Sequence, residues 1–363
     1  MATSKPKSTT FVAGGDVAIN RTKGPGALGA LAPVFKKAGV AFVNLELPLS
    51  RRGKGQPDKI LLRGTPEMAD ALTEAGLDTV SLANNHMFDY GEDAFVDTLA
   101  LLKKIDLPHT GAGMNLTAAR RPSILERGGL KIGILGFSSI LPRGFAAEQS
   151  RPGLNAIRAN TAYEVWRDVN EYPGTAPRIV TWTNPGDLAR MRRDISALKK
   201  RVDVVIINHH WGTSMLHGHQ DYQTELGRAS IDAGADLVLG GHAHVLQPIE
   251  MYKGVPIIYS MGNLIFDFKI PFFTAASKQT FLFRCTLKKR GIENPGFIPC
   301  WSGDFEKPRI LSPRSGRGKD IVELMQGLSE PHGTKLEVRG ERVLIKQGKT
   351  APPASSTAAF FGR

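Results

Sequence analysis

Cysteine is nearly missing from this chain: Cys285 and Cys300 are the two among 363 residues. Two thiols cannot make a disulfide framework, and neither has the spacing of a cysteine zinc site. They read as buried thiols in a reducing compartment. Aromatic residues are sparse at 7%. No basic–aromatic interleaving suggests stacked bases, so nucleic-acid binding is disfavoured despite an isoelectric point near 9.8. No run of about 18 apolar residues occurs, so no transmembrane helix is expected. The N-terminal residues are basic but lack the apolar stretch and cleavage site of a secretory signal, and the expectation is a cytoplasmic protein. There is no Walker A motif and no Gly-x-Ser-x-Gly elbow. Gly24–Gly29 fits G-x-G-x-x-G, but Pro25 removes a backbone N–H that would cradle phosphate, and the segment reads as the loop leading into a helix.

What is present is ordinary globular material, with 41% hydrophobic and 22% charged residues. Such a composition excludes a mostly disordered chain. Lys and Arg outnumber Asp and Glu by 47 to 34, a net +13 that attracts anions. At roughly 150 residues per domain, the length suits one large α/β domain with additions. Residues 1–9 read as a flexible tail and 350–363 as a low-complexity, disordered one. Residues 10–349 read as one domain, with a Pro-, Arg- and Asn-rich insertion over 138–185 that holds a helix near 160–169. Strands are expected at Thr10–Ala13, Val40–Leu45, Asp78–Leu82, Lys131–Phe137, Val202–Ile207 and Asp236–Leu239. Helices are expected at Ala27–Ala38, Thr65–Ala75 (with Thr65 as N-cap), Gly91–Lys104, Asp187–Lys200 and Tyr222–Ala233. From about residue 270 the pattern turns to β-type, with a helix at Asp320–Leu328 and a hairpin around Gly340. Alternating β/α followed by β argues for an α/β sheet whose site lies beyond the strand C-termini.

Histidine is scarce, nine in all, yet His209, His210, His217, His219, His242 and His244 fall within one short stretch. Five polar clusters each follow an apolar strand-like run: Asp16, Asn44 with Glu46, Asn85 with His86, His209 with His210, and His242 with His244. Strand ends converge on one sheet edge, so these residues can meet. Carboxylate, amide oxygen and neutral imidazole are ligands of Zn, Mn and Fe(II). Two such ions about 3.5–4 Å apart need a bridging carboxylate and further donors of these types. Each cluster alone suits a turn or a packed core histidine; five together are hard to explain by packing. In an extended segment His242 and His244 would point to one side.

The order Gly-Asp, Asn-x-Glu, Asn-His, His-Trp-Gly, Gly-His-x-His resembles the calcineurin-like metallophosphoesterase superfamily. The stretches Phe42–Glu46, Ala83–His86 with Asp89-Tyr90-Gly91, His210-Trp211-Gly212, Ala233–Val238, Gly241–Val245 and Tyr259–Asn263 resemble its capsule or poly-γ-glutamate synthesis branch, the CapA type. The resemblance spans about residues 10–265. It implies a four-layer α-β-β-α sandwich with a mixed sheet and two divalent metal ions (Mn, Fe or Zn). It implies Asp16 and His244 on metal 1, Glu46 bridging, and Asn85, His210 and His242 on metal 2. It also implies His86 as general acid, and Asp89 is spaced to orient that imidazole. The superfamily's first-motif histidine is replaced by Ala18, for which Asn44 is a candidate substitute. His209 is a second choice to His210, and His217 and His219 are candidates for substrate contact or for solvent exposure.

The implied chemistry is hydrolysis of a phosphoester or related anionic substrate by a hydroxide that two cations activate, with His86 protonating the leaving oxygen. The alternative is a non-hydrolytic accessory protein that binds an anionic polymer in capsule or poly-γ-glutamate assembly, suggested by Ala18 and by the basic loop 51–63. Expected partners are therefore an anionic small molecule or polymer.

Overall fold

A computed structural model describes residues 7–165, 173–303 and 305–348. Its frame is two β-sheets of ten and six strands. In the larger sheet, strand Ser8–Ala18 runs parallel to Val40–Leu45 on one side and antiparallel to Gln279–Lys288 on the other. Thr79–Ser81 and His109–Thr110 extend it in parallel, and Gly291–Trp301 with the hairpin Thr334–Arg339/Arg342–Gln347 completes the other wing. In the smaller sheet, Leu130–Ser138, Val204–His210, Leu237–Gly241 and Val255–Ile258 are parallel, and antiparallel edges are formed by Ser123–Arg127 and Ile249–Tyr252.

The strands are apolar on both faces because both faces are covered. Alternate residues sort into three cores. Phe11, Phe42, Phe281 and Phe297 of the larger sheet meet Ile132, Val204, Ile206 and Leu237 of the smaller one between the sheets. Val12, Ala41 and Val43 face outward onto Phe35, Leu72 and Phe95 of the helical segments Ala32–Lys36, Ala69–Glu74 and Gly91–Lys104. Leu135, Val205, Ile207 and Val238 face the opposite way, onto Met191, Ile195 and Leu226 of helices Pro185–Lys199 and Asp221–Asp232. The result is helix, sheet, sheet, helix. Each fully buried Phe, Leu or Ile contributes about 1.5–3 kcal/mol, so the inter-sheet layer clamps the two halves together.

Several sequence expectations change. The first strand begins at Ser8, inside the segment read as a tail, and runs on to Ala18. Its pairing with Val40–Leu45 slips between Ala13 and Asp16, at Gly14-Gly15. A Cβ at Gly15 would sit 1.9 Å from the Gly262 carbonyl, so glycine is required there, and the slip delivers Asp16 to the sheet edge. The helices expected over Ala27–Ala38 and Thr65–Ala75 are each a 3₁₀ turn leading into one short α-helix. The Thr65 side chain makes no capping bond. No helix starts at 160: Ala159–Glu164 is a strand paired with Arg178–Thr183, as the β-branched and aromatic residues Thr161, Tyr163, Ile179, Val180 and Trp182 favour. Residues 166–169 of that expected helix, and the expected tail 350–363, lie outside the described residues. Among the described residues no helix is long and apolar enough to cross a membrane.

Candidate metal centre

The parallel strands of both sheets end on one edge, and there the polar clusters meet. Asp16, Glu46, Asn85, His210, His242 and His244 are all buried. One ligand atom each from Glu46, His210 and His242 lie within 4.8 Å of one another, and so do those of Asp16, Glu46 and His244. Glu46 belongs to both groups. Asn85 Oδ1 adds a donor to the first, 2.8 Å from His210 Nε2.

Local structure explains each approach. Asp16 is held from two sides, its Oδ1 accepting from Asn44 Nδ2 at 2.8 Å and its Oδ2 from the His242 backbone N–H at 2.9 Å. A Cβ at Gly241 would lie 2.5 Å from Asp16 Oδ1, so only glycine lets that strand end come so close. His242 and His244 do not converge by strand alternation as expected. Both have left-handed backbone, φ 85° and 56°, in a turn beyond Leu237–Gly241. Such conformations cost on the order of 1–3 kcal/mol each and cluster at functional sites. They bring the two rings to 5.6 Å.

The donor set suits a divalent cation on chemical grounds. Glu46 is fully buried, yet neither carboxylate oxygen has a hydrogen-bond partner. His210 Nε2 lies 3.2 Å from Oε1 without making that bond. Burial, then the neighbouring Asp16 carboxylate, pushes the Glu46 acid well above its usual range. His242 Nδ1 is likewise buried without a partner, and burial pushes its imidazole well down. Buried carboxylate oxygens and imidazole nitrogens left unpaired cost several kcal/mol unless a cation takes them up. Oxygen and nitrogen donors suit Zn, Mn and Fe(II) alike.

Beside this group, His86 Nδ1 lies 2.7 Å from Asp89 Oδ2. Asp89 also accepts from Lys59 Nζ at 2.5 Å and from the Leu62 N–H at 2.6 Å. Burial outweighs the carboxylate and pushes the His86 ring down to about 4. Asn84 ties the clusters together, donating to Asn44 Oδ1 and to the Leu45 carbonyl.

Asn44 does not stand in for the histidine missing at Ala18. Its amide N–H donates to Asp16 and its oxygen accepts from Asn84. His209 points away from the site: its Nε2 meets Ser230 Oγ at 3.1 Å and its ring stacks on Trp211. His217 and His219 are half-buried. His217 Nδ1 donates to the Leu246 carbonyl, and His219 stacks on Tyr259. Three contributors went unnoticed in the sequence. Asn263 Oδ1 lies 2.9 Å from His244 Nδ1, and Ser214 Oγ lies 3.4 Å from His242 Nε2. Lys59 is the third. Asn263 ends a stretch that already carried the resemblance; nothing set Lys59 apart from the other basic residues of its loop. Those neighbours are largely committed elsewhere, Arg51 to Glu67, Arg52 to Asp97, and Arg63 to the Tyr90 ring.

Comparison with known proteins agrees with the motif reading. The family described as bacterial capsule synthesis protein PGA_cap matches residues 10–268. The chain is 33% identical over 238 residues to the PGA biosynthesis protein CapA of Bacillus subtilis, covering 65% of this chain and 55% of that one. It is 31% identical over 235 residues to a probable polyglutamine synthesis accessory protein of Mycobacterium tuberculosis, 63% and 56%. It thus spans a little over half the length of these relatives. Among solved structures it is similar to TT1561 of Thermus thermophilus, with TM-score 0.38 and 13% identity over 78% of this chain and 99% of that one.

Proposed function

Because the chain belongs to the bacterial capsule synthesis protein family PGA_cap, we propose that it is a metal-dependent hydrolase acting on a phosphoester or related anionic substrate. The observation that carries this reading is Glu46, a buried carboxylate without a hydrogen-bond partner that is shared by two ligand groups. In this reading Asp16, Glu46 and His244 would hold one divalent ion, and Glu46, Asn85, His210 and His242 would hold a second. Such ions, when bound, make water nucleophilic at neutral pH and neutralise charge developing on the substrate.

The chain's own residues supply the rest. Asp16 is fixed by Asn44 and the His242 N–H, so it does not have to reorganise. His86 lines the cavity above the ligand group. Asp89 orients its ring, and the ring carries a proton to the leaving oxygen. The proton reaches a ring that is uncharged at neutral pH in the free protein; an anionic substrate beside it favours the charged form. Lys59 Nζ donates to Asp89 and so helps to hold that carboxylate against the ring.

The name of one relative, a probable polyglutamine synthesis accessory protein, favours a second reading, in which this chain binds an anionic polymer in capsule or poly-γ-glutamate assembly without hydrolysing it. The two separate in one assay. Wild-type protein with Mn²⁺ is screened on generic phosphoesters alongside His242→Ala. Turnover lost in the variant supports the hydrolase. No turnover by metal-loaded wild type, with polymer binding equal in both proteins, supports the accessory role.

A further inference from the structure

The cavity above the ligand group encloses ≈ 250 Å³, and its chemistry is divided. The floor is polar, with Asn85, His86, His242 and His244. The walls are apolar and come from two separate loops, Ile60 and Leu62 from one, and Phe266, Ile270, Phe272 and Phe273 from the other. Two of these side chains are held partly in water, Ile60 42% and Phe272 48% exposed. Large apolar side chains gathered at the mouth of a polar site mark a surface that a ligand covers. The wall is built in advance: the Phe273 ring packs against His244 at 4.9 Å and against Phe266 at 5.2 Å, and Phe272 packs on Phe273 at 5.5 Å.

Among the described residues lining this cavity, Lys59 supplies the positive charge, and it is tied to Asp89. Asp58 lies beside it in the lining. The net charge of +13 is therefore not concentrated here, and a substrate with several closely spaced anionic groups would meet phenylalanine and a carboxylate. The volume is below the ~300–1,000 Å³ usual for larger ligands, and suits one tetrahedral anion with one ring or short alkyl group.

We propose that the substrate carries an aromatic or alkyl group next to the anionic group that reaches the ligand floor, and that this apolar group lies between Ile60 and Phe272–Phe273. The proposal rests on the hydrolase reading and narrows its substrate to aryl or alkyl esters. In the reaction, water oxygen bonds to phosphorus, the P–O bond to the apolar alcohol breaks, and that alcohol leaves with a proton.

The test is a calorimetric titration of Mn²⁺-loaded protein with phenylphosphonate and with methylphosphonate, whose P–C bonds resist hydrolysis. Wild type is expected to bind the phenyl compound about tenfold or more tightly, from burial of the ring. In the double variant Ile60→Ser, Phe272→Ser that preference is expected to shrink to below about threefold with Mn²⁺ uptake retained. Equal affinities in wild type, no binding of either compound to Mn²⁺-loaded protein, or an undiminished preference in the variant overturns the proposal alone. Failure of wild type to take up Mn²⁺ overturns the hydrolase reading, and this proposal with it.

Discussion

His209 and His210 are neighbours on one strand and live in opposite worlds. His209 faces the helix layer, stacked on Trp211, with Nε2 bonded to Ser230. His210 faces the strand-end cluster, within reach of Glu46, Asn85 and Asn44. Both are buried, and burial pushes both rings down, to about 3 and about 4. The difference lies in what else each region leaves open. Around His209 the packing is nearly complete, its Nδ1 being the one ring nitrogen left over; around His210 a neighbouring carboxylate has no hydrogen-bond partner. One region is nearly closed by packing; the other leaves buried donor atoms open.

That contrast can be broken by substitution. The largest effect is expected at His242→Ala, which should lower hydrolysis at least about a hundredfold, beyond the 10–100-fold typical of residues that merely orient ligands. Steady-state kinetics checks this; a loss below tenfold contradicts the ligand role.

Glu46→Gln should stabilise the metal-free protein at pH 7, since it removes an acid that burial and the Asp16 carboxylate make costly to ionise. The sign follows from the raised acid: the native state binds its proton more tightly, so this carboxyl costs stability as pH rises above its unfolded value of 4.5. Denaturant unfolding with and without Mn²⁺ measures it, and added Mn²⁺ should stabilise wild type more than the variant.

His209→Leu tests the other region. His209 has a lowered value, so its neutral form is native, and stability is lost as pH falls below the unfolded 6.5. Between pH 7 and pH 5 the wild type should lose about 2 kcal/mol that the leucine variant keeps, with hydrolysis retained in the variant. Parallel unfolding curves at the two pH values decide it. The smallest effect is expected at Asn263→Ala, about a tenfold loss of metal affinity through a less firmly held His244.

The strand ends were legible because each polar cluster interrupts an apolar run, although His209 shows that a residue of such a cluster can be packed away from the site. Val40–Leu45 and Gly91–Lys104 have the expected bounds for a related reason: a continuous apolar run and an amphipathic stripe each have one period. The hairpin Ala159–Glu164/Arg178–Thr183 was hidden because its pairing is not local, its two strands being separated by a long connection. The left-handed turns at His242 and His244 leave no pattern in residue type. Lys59 reaches Asp89 across thirty positions, a contact that only the folded loop creates.

The central claim is that the Glu46 cluster is a divalent-cation site, and the direct test is a Mn²⁺ titration of metal-stripped wild type followed by elemental analysis. Uptake of two ions per chain, matching the two ligand groups that share Glu46, and reduced in Glu46→Gln, is the predicted result. No uptake by a folded wild type would contradict it.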